Sequence, residues 1–154
     1  MHAPIHLAAC LGTIKSAHEE KVSSRANAML LFNPVCVLAP IDDLNSWPTD
    51  QAKMNRRMGG DNASVLSPAH HVSKSSAPCV LFHGTADTSV PYATAEKFAE
   101  NMNAAGARCK LVGYPLSTFL GGSSSLWDLR FGTGVYLETG ACARFIHDWM
   151  TPIP

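Results

Sequence analysis

Apolar positions along this chain follow two alternating patterns: short unbroken runs, and longer stretches in which they recur every three or four residues. Residues 28–35, AMLLFNPV, stay apolar until Asn33-Pro34 closes them, as a strand buried on both faces does. Two further runs of the same character occupy 79–83 and 109–114. Between them, from 91 to 105, Ala95, Phe98, Ala99, Met102 and Ala105 fall on one helical face, and Glu96, Lys97, Glu100 and Asn103 on the other. Pro91 suits the first turn of that helix and Gly106 the position just past its end. Strand, helix, strand in this order predicts parallel neighbours.

The flanks are less regular. Residues 5–19 carry Ile5, Leu7, Ala8, Leu11 and Ile14 at roughly helical spacing and close in a polar segment, which predicts a helix with no strand ahead of it. From 41 the chain turns polar, with a short helix predicted at 51–58 and broken by Gly59-Gly60. Residues 63–72 read as an irregular turn or short helix held by Pro68. Beyond Pro115 the period is lost, and 116–134 read as a divergent loop rich in glycine and serine. Leu137, Ala141, Phe145 and Trp149 then restore a helical stripe over 135–150. The expected fold class is α/β: about three mostly parallel strands near 28–35, 79–83 and 109–114, flanked by helices, in a single incomplete domain over 1–154.

Composition narrows the function classes. Hydrophobic residues make up 46% and charged residues 16%, which excludes a disordered tail. Twelve basic and twelve acidic residues balance, so no surface for nucleic acid or anionic membrane is expected. No apolar run approaches the ~20 residues that span a bilayer. The N-terminus has an apolar patch without a basic segment ahead of it, so no signal peptide is read and a cytoplasmic location is the default. Five cysteines, Cys10, Cys36, Cys79, Cys109 and Cys142, are widely spaced with no CxxC pair, most of them beside or within apolar runs. They read as buried thiols in a reducing compartment, and neither a metal nor a cofactor is expected.

The chemistry-bearing stretch is His83-Gly84-Thr85-Ala86-Asp87-Thr88-Ser89-Val90-Pro91, which follows a buried strand and opens a helix. Parallel α/β proteins present catalytic groups just there, beyond the C-terminal ends of their strands. From about Ala63 to Pro115, and back to Ile5 more loosely, the chain resembles the C-terminal half of an α/β-hydrolase, of the acetyl-esterase and feruloyl-esterase-like kind, with prolyl-oligopeptidase-type hydrolases as cousins. The resemblance implies carboxylic-ester hydrolysis of a small-molecule ester, and it implies that Asp87 is the acid that orients a catalytic histidine. Asp87 reads otherwise as a loop carboxylate capping the turn or helix that follows.

Such hydrolysis needs a serine on a sharp strand-to-helix turn, a histidine within reach of it, and backbone donors facing the oxyanion. The family elbow reads G-x-S-A-G-G-H-L-A-A. Matching its HLAA to His6-Leu7-Ala8-Ala9 puts His2 at the serine position, Ala3 at the alanine, and Pro4-Ile5 at the two glycines. No G-x-S-x-G occurs in the sequence, and Gly121-Gly122-Ser123-Ser124-Ser125 lacks the second glycine and reads as a loop. The family's histidine follows the strand that ends in GYP, where this chain has Pro115-Leu116-Ser117-Thr118-Phe119-Leu120-Gly121. After Asp87 the one remaining histidine is His147, on the terminal helix, read as a surface or packing residue rather than a displaced base.

The other histidines and the tryptophans have simpler readings. His83, before a glycine at a strand end, reads as a structural hydrogen-bonding residue, and His70-His71 lack a further ligand at metal spacing. His6 and His18 read as solvent-facing or capping, and Trp47, Trp127 and Trp149 as packing residues. Three functions are then expected to compete. The chain is an esterase-like α/β-hydrolase piece inactive alone, a non-catalytic binding or interaction remnant, or a piece of an active esterase in which an internal methionine stands as the start and the reading frame slips after Pro115. The first strand is expected to leave an unpaired apolar edge, open to a second copy or to a complementing chain.

Overall fold

The computed structural model describes residues 3–15, 25–42, 44, 47–60 and 62–114. The chain divides after Thr118 into two units, and all of these residues belong to the first, Met1–Thr118. The divergent stretch 116–134, the stripe at 135–150, Ser123–Ser125, His2, His18, Trp127, Cys142, His147 and Trp149 lie outside the described residues.

Three parallel strands form one sheet in the order β1-β2-β3: β1 (Met29–Phe32), β2 (Cys79–Gly84) and β3 (Cys109–Tyr114). The register aligns Met29 with Cys79 and Cys79 with Cys109, and proceeds in step to Gly84 opposite Tyr114. The strands expected near 28–35, 79–83 and 109–114 are therefore present, and β2, between the other two, is buried along its whole length. Successive side chains alternate between faces. Met29, Leu31, Cys79 and Leu81 accordingly join Ala9, Ala95, Phe98 and Met102 in one core, while Phe32 and Phe82, of the opposite parity, stack with ring centroids 5.0 Å apart.

The crossover helix α3 (Tyr92–Ala104) follows its amphipathic pattern closely. Ala95, Phe98, Ala99 and Met102 are buried, and Glu96, Glu100 and Asn103 are exposed. Its end is a Schellman turn: Ala107 N donates to Met102 O at 2.9 Å and Gly106 N to Asn103 O at 3.0 Å. The turn requires Gly106 at φ 80°, and it returns Ala107 and Met102 together to the core.

The first helix departs from its pattern. α1 (Ala3–Thr13) stops short of residue 19 because the Gly12 carbonyl, which would continue the helix, accepts from Ala77 N at 2.9 Å instead. Thr13 Oγ1 also turns back onto Ala9 O at 2.9 Å. Of the positions grouped at helical spacing, Leu7 and Leu11 are exposed by 59% and 45%. The buried face is Ala9, Gly12 and Thr13, narrow enough for β1 to approach: a Cβ on Gly12 would stand 2.1 Å from Met29 Sδ.

Between β1 and β2 the chain forms α2 (Gln51–Arg57), capped by Asp50 Oδ1 on Lys53 N at 2.8 Å and ended by Gly59 at φ 74°. Two 3-10 turns follow, Ala63–Leu66 and Pro68–His70, with Pro68 buried in the second. The irregular segment expected at 63–72 is these two turns.

Candidate active site

The strand ends set the site. Asn33, just past β1, adopts φ 46°, a left-handed conformation that asparagine tolerates. From there its amide donates to Phe82 O at 2.8 Å and its side-chain oxygen accepts from Gly84 N at 2.9 Å. This brace joins the C-terminal ends of β1 and β2, where the acid loop begins. Sequence reasoning saw Asn33 only as a strand closer. Its asparagine-proline context signals a turn, but its partner lies 51 positions away.

Asp87 follows after a tight turn closed by Asp87 N to Gly84 O at 3.2 Å. It is 6% exposed, and its Oδ1 accepts from the amides of Ser89 and Val90 at 2.8 and 3.0 Å. Two amides on one oxygen aim the carboxylate and leave Oδ2 buried, with no hydrogen bond to it among the described residues. The capping contact expected of a loop carboxylate is thus present, directed at the turn that precedes α3.

His83 stands beside this group with its side chain fully buried. Its Nε2 lies 2.9 Å from Val90 O, and a carbonyl can only accept, so Nε2 carries the proton and donates. The 3.5 Å from the same nitrogen to Asp87 Oδ2 is then a close polar approach rather than a second hydrogen bond. His83 thereby ties the end of β2 to the entry of α3, which agrees with its structural reading. Tyr92 meets the His83 ring edge-on at 6.0 Å, a neighbour that sequence reasoning missed. Gly113 makes room for it: a Cβ there would lie 2.7 Å from the Tyr92 hydroxyl.

The remaining candidates are dispersed. His6 is half-buried rather than solvent-facing: its Nδ1 donates to Val35 O at 2.9 Å and pins α1 to the exit of β1. His70 Nε2 donates to Pro40 O at 3.2 Å, which leaves Nδ1 to accept from Ser67 Oγ at 2.8 Å. Ser67 Oγ in turn accepts from Leu38 N at 3.0 Å, so Ser67 and His70 lace the loop after β1 to the second 3-10 turn. His71 Nε2 donates to Ser64 O at 3.0 Å. Trp47 packs against the core and donates to Val37 O at 3.0 Å. Among the described residues no three histidine, cysteine or acidic side chains converge as metal ligands, and no helix is long and apolar enough to cross a membrane. Cys36 and Cys79 are buried, and Cys10 and Cys109 half-buried, all four as free thiols.

A buried parallel strand, a carboxylate held by backbone amides beyond its end, and a packed crossover helix fit the α/β layout in which functional groups stand past the strand ends. The chain belongs to the BD-FAE family, whose model matches residues 3–102, and its sheet and helices are those of an esterase-like α/β-hydrolase. It is similar to solved structures of Thermogutta terrifontis esterase 2. The apo form matches at 31% identity and TM-score 0.71, over 99% of this chain and 55% of that one. The form phosphoramylated by tabun matches at 33% identity and TM-score 0.67, over 99% and 54%. The chain therefore spans about half the length of these esterases. Among curated proteins none matches it.

Proposed function

We propose that this chain is the acid-bearing half of an ester hydrolase and does not hydrolyse esters by itself. The observation that carries this reading is the Asp87 carboxylate: Oδ1 is clamped by two amides and Oδ2 is buried without a hydrogen bond among the described residues. That is the arrangement of an acid kept for an imidazole. The sequence has neither G-x-S-x-G nor a histidine in the stretch after Tyr114 where the family carries one. Losing any one triad member removes most of a serine hydrolase's rate. Asp87 on this reading keeps its place and its turn-capping role, and the substrate class, a small-molecule ester, returns only if a serine elbow and a histidine are supplied.

The test is hydrolysis of a short-chain aryl ester by the purified chain and by Asp87→Asn. Rates at the uncatalysed level in both support the proposal, and turnover that depends on Asp87 overturns it.

A second reading concerns partners and is favoured by β1, which has one neighbouring strand among the described residues and leaves Leu30 40% exposed. We infer that this edge takes a further strand, from a second copy or from a complementing polypeptide, and that 1–154 act as one incomplete domain. A monomer at high concentration in size-exclusion chromatography, unchanged by any added partner half, would count against it.

A further inference from the structure

The first residues of β2 and β3 are both cysteines, and the register sets them directly opposite each other. Their sulfurs are 3.0 Å apart, and both are free thiols. Strands in a sheet lie about 4.8 Å apart, which is inside the Cα separation that a disulfide spans. The Cys109 backbone is also held: Asn103 accepts from Cys109 N at 3.0 Å and donates to Cys109 O at 3.1 Å. The two sulfurs differ in access, because Cys79 is fully buried and Cys109 is half-buried.

We propose that Cys79 and Cys109 are an oxidisable pair, which a peroxide converts into an interstrand disulfide that locks the β2–α3–β3 unit. Cys109 meets the oxidant first. Its sulfur attacks one peroxide oxygen, the O–O bond breaks, and the departing hydroxide leaves as water with the thiol's proton, giving a sulfenic acid. The Cys79 sulfur then attacks that sulfur, the S–O bond breaks as S–S forms, and the hydroxide departs as water with the Cys79 proton. Two thiols together lose two electrons and two protons, and one peroxide becomes two waters. Its greater access makes Cys109 the sulfur that meets peroxide and Cys79 the resolving partner, and the hydrogen bond to Cys109, and after it burial, also raise the Cys79 thiol. The loop closed in this way contains His83, Asp87 and all of α3, so oxidation would bind together the segment that positions the acid.

The experiment treats the reduced full-length chain with equimolar hydrogen peroxide, blocks remaining thiols with iodoacetamide, and digests with trypsin without reductant. The expected product joins the peptide spanning 75–97 to the dipeptide Cys109-Lys110, with the loss of two hydrogens. Its appearance should accompany a rise in Tm that dithiothreitol reverses. Recovery of both cysteines as alkylated thiols, a Cys79–Cys36 link, or Cys109 as sulfinic acid in the unaltered chain would each overturn the proposal. Cys109→Ser, at the half-buried position, should leave Cys79 reduced under the same peroxide and abolish the Tm shift. Cys79→Ser, given excess peroxide, should let Cys109 proceed through the sulfenic acid to the sulfinic acid, a second peroxide supplying the second oxygen. Oxidation of Cys79 at an undiminished rate in Cys109→Ser would contradict the assigned order and the pair with it.

Discussion

The helix-on-strand pairs α1–β1 and β2–α3–β3 are built from similar residues and differ in what they leave outside. Leu7 and Leu11 of α1 and Leu30 of β1 are all at least 40% exposed, while no large hydrophobic of β2 or α3 is. The crossover closes its own surface, because β2 has a strand on each side and α3 covers it with a regular apolar face. α1 instead reaches the sheet through Ala9, Gly12 and Thr13, and β1 has a neighbour on one side among the described residues. An exposed leucine alone means little. Two on one helix, and a third on the opposite face of a strand with one neighbour among the described residues, leave this end of the sheet less covered than the crossover on both sides.

If the crossover is the self-sufficient part, damage there should be costly and damage at the α1–β1 surface mild. Phe98→Ala, which empties a fully buried site in α3, should cost about 3–5 kcal/mol in urea unfolding. Leu11→Ala on the exposed face should stay within about 0.5 kcal/mol. Equal losses in the two variants would erase the distinction. Gly106→Ala, which forces a side chain into the left-handed cap of α3, should cost about 1–2 kcal/mol by the same measurement.

Asp87→Ala removes the acceptor for two amides and should cost about 1 kcal/mol. Asp87→Asn retains an acceptor and should remain within about 0.5 kcal/mol of the parent. A large loss in Asp87→Asn would mean that charge, not the turn-capping oxygen, is what Asp87 contributes to the fold.

A smaller effect comes from the thiols. Burial pushes Cys10 up to about 11 and raises Cys36, and Cys79 is raised by its bond to Cys109 and then by burial. The folded chain thus keeps protons that an unfolded chain releases near the ordinary thiol pKa of about 8.5. Their contribution is full below that pH and is lost as pH rises toward about 11, so Tm should fall across the alkaline range and hold steady below it. Cys10→Ala should shallow that slope. Smallest in stability is Leu30→Lys, expected within about 0.5 kcal/mol. It should nevertheless lower self-association in sedimentation, since lysine on an edge strand opposes pairing. Unchanged association would remove the edge from the partner reading.

The acid loop was legible in the sequence because everything that defines it is local. A continuous apolar run, a glycine, one carboxylate and a proline-led amphipathic helix occur in consecutive order, and each constrains the next through backbone geometry. Gly106 was legible for the same reason, as a glycine just past a periodic stretch. Spacing alone misjudged α1, where Leu7 and Leu11 match a helical period but face away from the sheet. What turns them outward is Gly12 against Met29, a contact between separate elements.

The sequence by itself therefore determined the order of strand, acid and helix and the parallel sheet, since these follow from neighbouring residues and their periods. Tertiary structure alone decided that Asn33 braces Gly84, that His6 serves Val35, and that Asp87 is sunk beside His83 with one oxygen bound. It also decided that Cys79 meets Cys109. Each of these depends on register and long-range approach, and period along the chain carries no information about either.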